Sequence, residues 1–451
     1  MLSSYLATMR GFPRNVWLYF AAMSLIGFTI DGGIYSVVFN LFLLRLGYGP
    51  EFVGQINSVG LFAFALCSLP AGALGAKVGN RRAMIIGLCI LMGSSVLLAL
   101  SEFVPQSVRA YWLLGFYVCY HSSIAIFFVN TAPFLMANTR DEERSHAFAI
   151  QSAMISSAAF VGSLLGGFLP GLFAAQTGIT LAAATPYRYP LLIASVMLSV
   201  GIGALFAMKE SNVGTSSPSN TASMDVPPLP PRRTYPTIFR VPRFTSFNLR
   251  NVERGFLTLV VVISLIRILQ IAGMAVLSTF FNVYMDDGLG APTAQVGIIT
   301  GLGRLLAVPI VLLMPVLSAR WGHRNLVTGA SLGAVLCLLP LAFIPEWWAA
   351  GLGYTGVIAG SSIRYTSFMI FIMAMIKPEQ RSFMSGLSEM TAGLSFAGMA
   401  WLGGYMIVNQ GYQTLFFVAA IATLLGTLLF WGYFRTQQPV TRIAEVPVPG
   451  D

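Results

Sequence analysis

The chain has 451 residues, 56% of them hydrophobic and 9% charged, with a formal net charge of +10. A soluble domain carries about one quarter charged residues, so an ordinary water-soluble globule is excluded and a chain that meets lipid is indicated. The basic excess falls in loops between apolar runs, where it sets orientation and meets anionic lipid, so no nucleic-acid partner is expected.

The first apolar run, at about 15–45, follows a short basic N-terminus and is too long for a cleavable signal core. Further runs at about 52–75, 83–101, 109–136, 147–175 and 189–208 complete a set of six, matching the roughly 20 residues that cross a bilayer. A second set follows at about 255–285, 294–318, 325–345, 348–376, 383–408 and 413–434.

The two sets repeat each other. Phe39-Asn40 answers Phe281-Asn282, and Pro50 to Gly54 answers Pro292 to Gly297. A short basic turn at 72–82 answers another at 315–325, and Arg144-Ser145 answers Arg381-Ser382. A fixed order of landmarks reads as a parallel duplication about an axis along the membrane normal. The expected units are a six-helix bundle at 1–209, a linker at 210–254, a second bundle at 255–436 and a tail at 437–451. The linker opens SNVGTSSPSNTASMDVPPLPPRR, a polar, Pro-rich tether whose PPLPPRR string also suits Pro-binding domains. Its second part mixes Arg240, Arg243, Arg250 and Arg254 with Phe239, Phe244 and Phe247, as in a segment lying on a membrane surface.

Of the 26 Lys and Arg residues, Arg45, Arg109 and Arg188 fall on one side of the spans and Arg267, Arg304 and Arg364 within them. The rest fall on the other side. Basic loops stay inside, so a multi-pass protein of the cytoplasmic (inner) membrane with both termini cytoplasmic is expected.

The two basic turns read GALGAKVGNRR (Gly72–Arg82) and PVLSARWGHRN (Pro315–Asn325). They share A-[KR]-x-G-x-R at Ala76–Arg81 and Ala319–Arg324. This resembles the loop signature of the major facilitator superfamily, G-x-L-x-D-[RK]-x-G-[RK]-[RK], which joins spans 2 and 3 of each half. Gly72, Leu74, Lys77, Gly79 and Arg81 match in the first copy, and Leu317, Arg320, Gly322 and Arg324 in the second. Ala76 and Ala319 stand where the family has an Asp that helps latch the cytoplasmic side. The resemblance implies an all-α membrane protein, with twelve transmembrane helices in two pseudo-symmetric six-helix bundles. It also implies gating roles for Gly72, Lys77, Gly79, Arg81, Arg320, Gly322 and Arg324, with close helix approach at Gly79. Gly162–Gly171 resembles, in part, the antiporter motif of drug-efflux facilitators: Gly162 and Gly166 match, and Gly167 takes the proline position. The G-x-x-x-G spacing of Gly162/Gly166 and Gly356/Gly360 predicts tight helix packing.

Other matches fail on context. Gly329 to Gly333 fits G-x-S-x-G and Gly351 to Gly356 fits G-x-G-x-x-G, but both fall within apolar spans with no strand before them. Cys67, Cys89, Cys119 and Cys337 lie in apolar runs without C-x-x-C spacing and read as small buried hydrophobes. No nucleophile–base pair, metal cluster or P-loop is evident, so neither an enzyme nor a cofactor is expected.

The informative residues are the charges within spans: Asp31, Arg267, Arg304, Arg364 and Glu389. Each costs about 2.5–3.5 kcal/mol at the centre of a lipid-facing helix, so they must face water, a ligand or each other. They occupy spans 1, 7, 8, 10 and 11. The resemblance implies that spans 1, 4, 7 and 10 line a central cavity, that 2, 5, 8 and 11 flank it, and that 3, 6, 9 and 12 meet lipid. An anionic or zwitterionic solute is the expected ligand of Arg267, Gln270, Arg304 and Arg364, because guanidinium offers a planar fork to carboxylate or phosphate. Internal pairing, such as Arg364 with Glu389, is the alternative. His121 and Asn130 are further polar candidates on span 4. Asp31 and Glu389 are candidates for proton coupling, since a carboxylate in such surroundings binds and releases a proton during a cycle. The expected activity is secondary active transport of a small organic solute by a proton-coupled monomer. Efflux of amphipathic compounds and a non-transporting sensor or scaffold are the alternatives.

Overall fold

The computed structural model describes residues 12–139, 144–208, 254–375 and 381–435; the linker, its Pro-rich string and the C-terminal tail lie outside them. The first bundle comprises α1 (Arg14–Thr29), α2 (Ile34–Arg45), α3 (Pro50–Val78), α4 (Asn80–Ala99), α5 (Gln106–Ala137), α6 (Arg144–Thr177) and α7 (Thr185–Phe206). The second comprises α8 (Arg254–Val283), α9 (Thr293–Leu312), α10 (Met314–Phe343), α11 (Trp347–Met375), α12 (Arg381–Gln410) and α13 (Tyr412–Phe434). Eleven helical stretches are long and apolar enough to cross a membrane. The 29-residue α11 is a further apolar helix, with Arg364 in its second half. With it the chain forms the twelve spans of the two-bundle plan.

The first span is broken, where the sequence predicts one continuous helix. α1 stops at Thr29 and α2 starts at Ile34, with Gly32 at φ +82° between them. The freed backbone groups find a partner in Ser36: Gly32 N donates to its Oγ at 2.9 Å, and that Oγ donates to Ile30 O at 2.7 Å. Unwound backbone within a span is tolerated only where such partners or a cavity receive it. Asp31 sits in this break.

The turn predicted at 72–82 shrinks to one residue. α3 runs to Val78, α4 starts at Asn80, and Gly79 alone turns the chain at φ 91°, ψ 140°. The second copy does the same inside α10, where Gly322 has φ 73°, ψ 153°. The eighth span is therefore α9 plus α10 as far as Gly322, and the ninth is the rest of α10. A β-carbon on Gly79 or Gly322 meets nothing within 4 Å, so these glycines serve backbone conformation, not close helix approach.

Close approach lies elsewhere. Gly162 packs against Phe28 O and Gly33 Cα, and Gly166 against Ile34 Cα, which seats α6 on the first span. Gly356 meets Cys337 and Gly360 meets Ala330 O, which seats α11 on α10. The G-x-x-x-G expectation therefore holds at both pairs. Cys89 and Cys119 are exposed on the bundle surface, contrary to the expectation of buried thiols.

The bundles meet along two seams, α3 with α12 and α6 with α9. In the first, a β-carbon on Gly54 would lie 2.4 Å from Ala400 O, and one on Gly404 2.8 Å from Pro50 O. In the second, one on Gly167 would lie 2.8 Å from Gly297 Cα. Both contacts fall toward the end of the molecule that carries Arg45, and there Arg45 forms a two-pronged ion pair with Asp286, at 2.7 and 2.6 Å. Tyr187 and Thr293 add a hydroxyl–hydroxyl bond of 3.2 Å at the same end. The Arg45 end is closed.

At the opposite end the signature arginines act within their own bundles. Arg81 donates to the carbonyls of Leu205 and Phe206 at the end of α7. Arg324 donates to those of Phe434 and Arg435 at the end of α13. Cations that cover the last carbonyls of a helix oppose its dipole and satisfy its orphan acceptors. Lys77 and Arg320 are exposed, and Gly72 packs loosely on Val129, 3.6 Å from its would-be β-carbon.

Candidate functional site

A cavity of about 320 Å³ lies between the bundles at mid-span. The break in the first span contributes Asp31, α2 contributes Ser36, α8 contributes Ser278 and Asn282, α9 contributes Arg304, and α11 contributes Tyr354. An Asp31 carboxylate oxygen stands 3.8 Å from Arg304 Nη2, so one bundle supplies the anion and the other the cation. Arg304 lies against Gly32: a β-carbon there would be 2.8 Å from its Nε, and only glycine leaves the room. Arg304 Nε is buried against the Gly32 backbone without a hydrogen-bond partner. The floor at the Arg45 end is made by amides, since Asn282 Nδ2 donates to Ser36 O at 2.6 Å.

The other candidates separate into three places. Arg267, Gln270 and Arg364 are buried within the second bundle, outside the cavity: Gln270 is about one turn and Arg267 about two turns from Met274, and Arg364 about three turns from Tyr354. Arg364 donates to the Gln270 carbonyl and, at 3.3 Å, to Ser361 Oγ, and the alternative pairing with Glu389 is not formed. Arg267 lies over the Phe368 ring at 4.9 Å and the Tyr365 ring at 5.7 Å. Glu389 is exposed and accepts a 2.9 Å bond from Tyr365 Oη. It shares a face of α12 with Gly393 and Gly404, which meet Ala65 and Pro50 of α3. Glu389 therefore looks across the α3–α12 seam, away from the Arg45 end.

His121 and Asn130 do not line the cavity. His121 packs edge-on to Tyr117 and Tyr120, against α3 at Gly60. Asn130 is buried between α5 and α3, and its amide donates to Ala71 O at 3.2 Å and Ile126 O at 2.8 Å. It fastens two helices of one bundle.

Sequence reasoning missed Ser36, Asn40, Asn57, Asn282 and Tyr354. Tyr117 Oη donates to Asn57 at 3.0 Å, Asn57 donates to Asn40 at 3.1 Å, and Asn40 donates across the bundles to Thr279 O at 2.8 Å. Uncharged amides within apolar helices carry no charge signal. The repeat of Phe-Asn in both halves was the signal that could have found Asn40 and Asn282.

The family model described as Major Facilitator Superfamily matches residues 18–361. Among solved structures, a D-xylose-proton symporter aligns at 13% identity and a TM-score of 0.70, over 95% of this chain and 97% of that one. The nucleoside transporter NupG aligns at 12% identity and a TM-score of 0.68, over 94% and 99%. A bacterial homologue of the human lysosomal transporter Spinster, in an inward-facing and occupied conformation, aligns at 14% and 0.68, over 94% and 96%. No curated protein matches the sequence. At such identities the likeness is one of fold.

Proposed function

The chain belongs to the Major Facilitator Superfamily, and from that premise we propose that it is a proton-coupled secondary transporter of a small polar solute, working by alternating access at the Asp31–Arg304 cavity. The observation that carries this reading is the ion pair itself: a carboxylate and a guanidinium from opposite bundles, 3.8 Å apart, inside a cavity whose Arg45 end is closed. A site built from both bundles can be exposed to each side in turn when they rock about it.

The cavity is at the small end of the ~300–1,000 Å³ of ligand pockets. Its acid, base, amide and hydroxyls suit a zwitterionic or polar solute better than an amphipathic drug. Neutral solutes of comparable polarity, a sugar and nucleosides, are named for transporters of the same fold. With basic loops in the cytoplasm, the Arg45 end is extracellular and both termini are cytoplasmic. The structure then represents a state sealed on the outside. Asp31 couples to protons because protonation would release Arg304 and loosen the link between the bundles.

The test is flux. Purified protein in proteoliposomes is loaded with solutes selected by thermal shift, and labelled counterflow and accumulation under an imposed pH gradient are followed. Counterflow with proton-driven accumulation is expected. Binding without counterflow would replace this reading by that of a sensor.

A further inference from the structure

Besides the cavity, the second bundle holds a buried cationic cluster that the proposed transport step does not use. Arg267 is 2% exposed, Gln270 1% and Arg364 4%. Among the described residues, no carboxylate lies within 4 Å of either guanidinium, since the ion pairs there join Arg45, Arg188 and Arg304 to their partners. The Nε of Arg267, the Nε of Arg364 and both amide atoms of Gln270 are buried without a hydrogen-bond partner. The hydroxyl of Ser367, one turn from Arg364, is buried and unpartnered as well. Buried polar groups are almost always bonded, and a clustered set of exceptions calls for an unseen ligand. Two guanidiniums with no carboxylate in contact, in a low-dielectric interior, call for an anion.

The groups converge. Arg267 and Gln270 are one turn apart on α8, and Arg364 and Phe368 one turn apart on α11. The helices meet through Arg364 on the Gln270 carbonyl and Arg267 on the Phe368 ring. Arg267 also lies on the α8 stripe of Met274 and Ser278, which line the cavity, two turns farther toward the Gly79 end.

We propose that Arg267, Gln270 and Arg364 form a second binding site, for a single carboxylate with a hydroxyl or amine on the adjacent carbon. Charge sets the valence. Tyr365 lies beneath Arg267 and donates to Glu389, so one carboxylate already balances part of the pair and one positive charge remains. The planar forks of the guanidiniums match a carboxylate. Gln270 sets the rest: its N–H donors take a carboxylate oxygen, and its unpartnered Oε1 takes the neighbouring O–H or N–H.

The carboxylate has two sources, the transported solute or a resident anion, and the test separates them. Glycolate, glycine, acetate, chloride and neutral glycolamide are titrated calorimetrically into the full chain in detergent, with no gradient present. Glycolate and glycine are expected to bind wild type and Asp31→Asn alike, acetate about tenfold more weakly, and glycolamide not at all. Gln270→Leu and Arg364→Gln are each expected to weaken glycolate binding at least about tenfold. Should Arg364→Gln elute as aggregate, Gln270→Leu decides. Absence of glycolate binding by monodisperse wild type overturns the site. So does chloride binding as tightly as glycolate, or loss of glycolate binding in Arg304→Gln with retention in Arg364→Gln. Labelled glycolate counterflow that fails in Arg364→Gln would assign the carboxylate to the cargo, and binding without counterflow would assign it to a resident anion. Both support the site, which is read by binding alone and so stands apart from whether the Asp31 cavity transports.

Discussion

Asn40 and Asn282 each donate a side-chain N–H to the backbone of the other's span. Asn40 Nδ2 meets Thr279 O at 2.8 Å, and Asn282 Nδ2 meets Ser36 O at 2.6 Å. The two residues occupy equivalent places in the duplicated halves, so the contact is reciprocal in the manner of a two-fold interface. It lies between the cavity and the closed end and exists only while the first and seventh spans are together. Asn40→Ala and Asn282→Ala should each cost the closed state about 1 kcal/mol, the net worth of one such bond, or roughly a fivefold shift in population. Spin labels at Gln176 and Gln410, exposed at the Arg45 end of each bundle, should report more of a longer distance. An unchanged distribution in the double variant would remove the pair from the closure.

The Asp31–Arg304 pair predicts a separation of binding from coupling. Asp31→Asn keeps the shape and a hydrogen-bonding group but holds one charge state at every pH. Accumulation driven by a pH gradient should fall to the level of passive exchange, while solute counterflow persists. Full gradient-driven accumulation by Asp31→Asn would exclude this carboxylate from coupling and turn attention to Glu389.

Two glycine substitutions should part conformational exchange from stability. A side chain at Gly297 meets Ser163 O at 2.5 Å and Gly167 Cα at 2.7 Å across the bundles. Gly297→Val should therefore disfavour the state closed at the Arg45 end and slow turnover, with little effect on the melting of either bundle. Gly79→Ala meets no neighbour but imposes a conformation at φ 91° that costs about 1–3 kcal/mol. It should lower the melting temperature and leave the distribution between facing states unchanged. Distance measurements and thermal unfolding on the same two variants check both halves of the statement, and exchanged outcomes would reverse the assignment.

The architecture was legible because lipid imposes it: apolar runs, basic loops and a repeated order of landmarks need no knowledge of side-chain contacts. The five intramembrane charges were legible for the same reason, since each is too costly to lie idle. Which of them meet was not. Asp31 and Arg304 come together only because Gly32 breaks the first span and leaves room for a guanidinium, a consequence of backbone conformation at one residue. Arg364 and Glu389 share a level of the bundle, yet Glu389 turns to Tyr365 and the α3–α12 seam, a matter of helix rotation that spacing along two separate spans does not encode. Asn130 carries the same residue type as Asn40, but its helix face points into its own bundle.

The signature arginines allow a direct choice between gate and cap. Arg81 reaches Leu205 O at 2.9 Å and Phe206 O at 2.8 Å, and Arg324 reaches Phe434 O at 3.4 Å and Arg435 O at 3.2 Å, each closing the last helix of its own bundle. Removing such a cation leaves C-terminal carbonyls to water and takes away a favourable dipole interaction of about 0.3–1 kcal/mol at an exposed site. Arg81→Gln should be the more damaging, because its bonds are the shorter pair. Both variants should lower the melting temperature by a few degrees while Km for the transported solute and the balance of facing states stay as in wild type. Normal melting together with a displaced conformational equilibrium would instead make these arginines part of a latch between the bundles. In that case their partners would have to lie on the opposite bundle once the Gly79 end closes, and crosslinking from position 81 to α12 in that state would detect them.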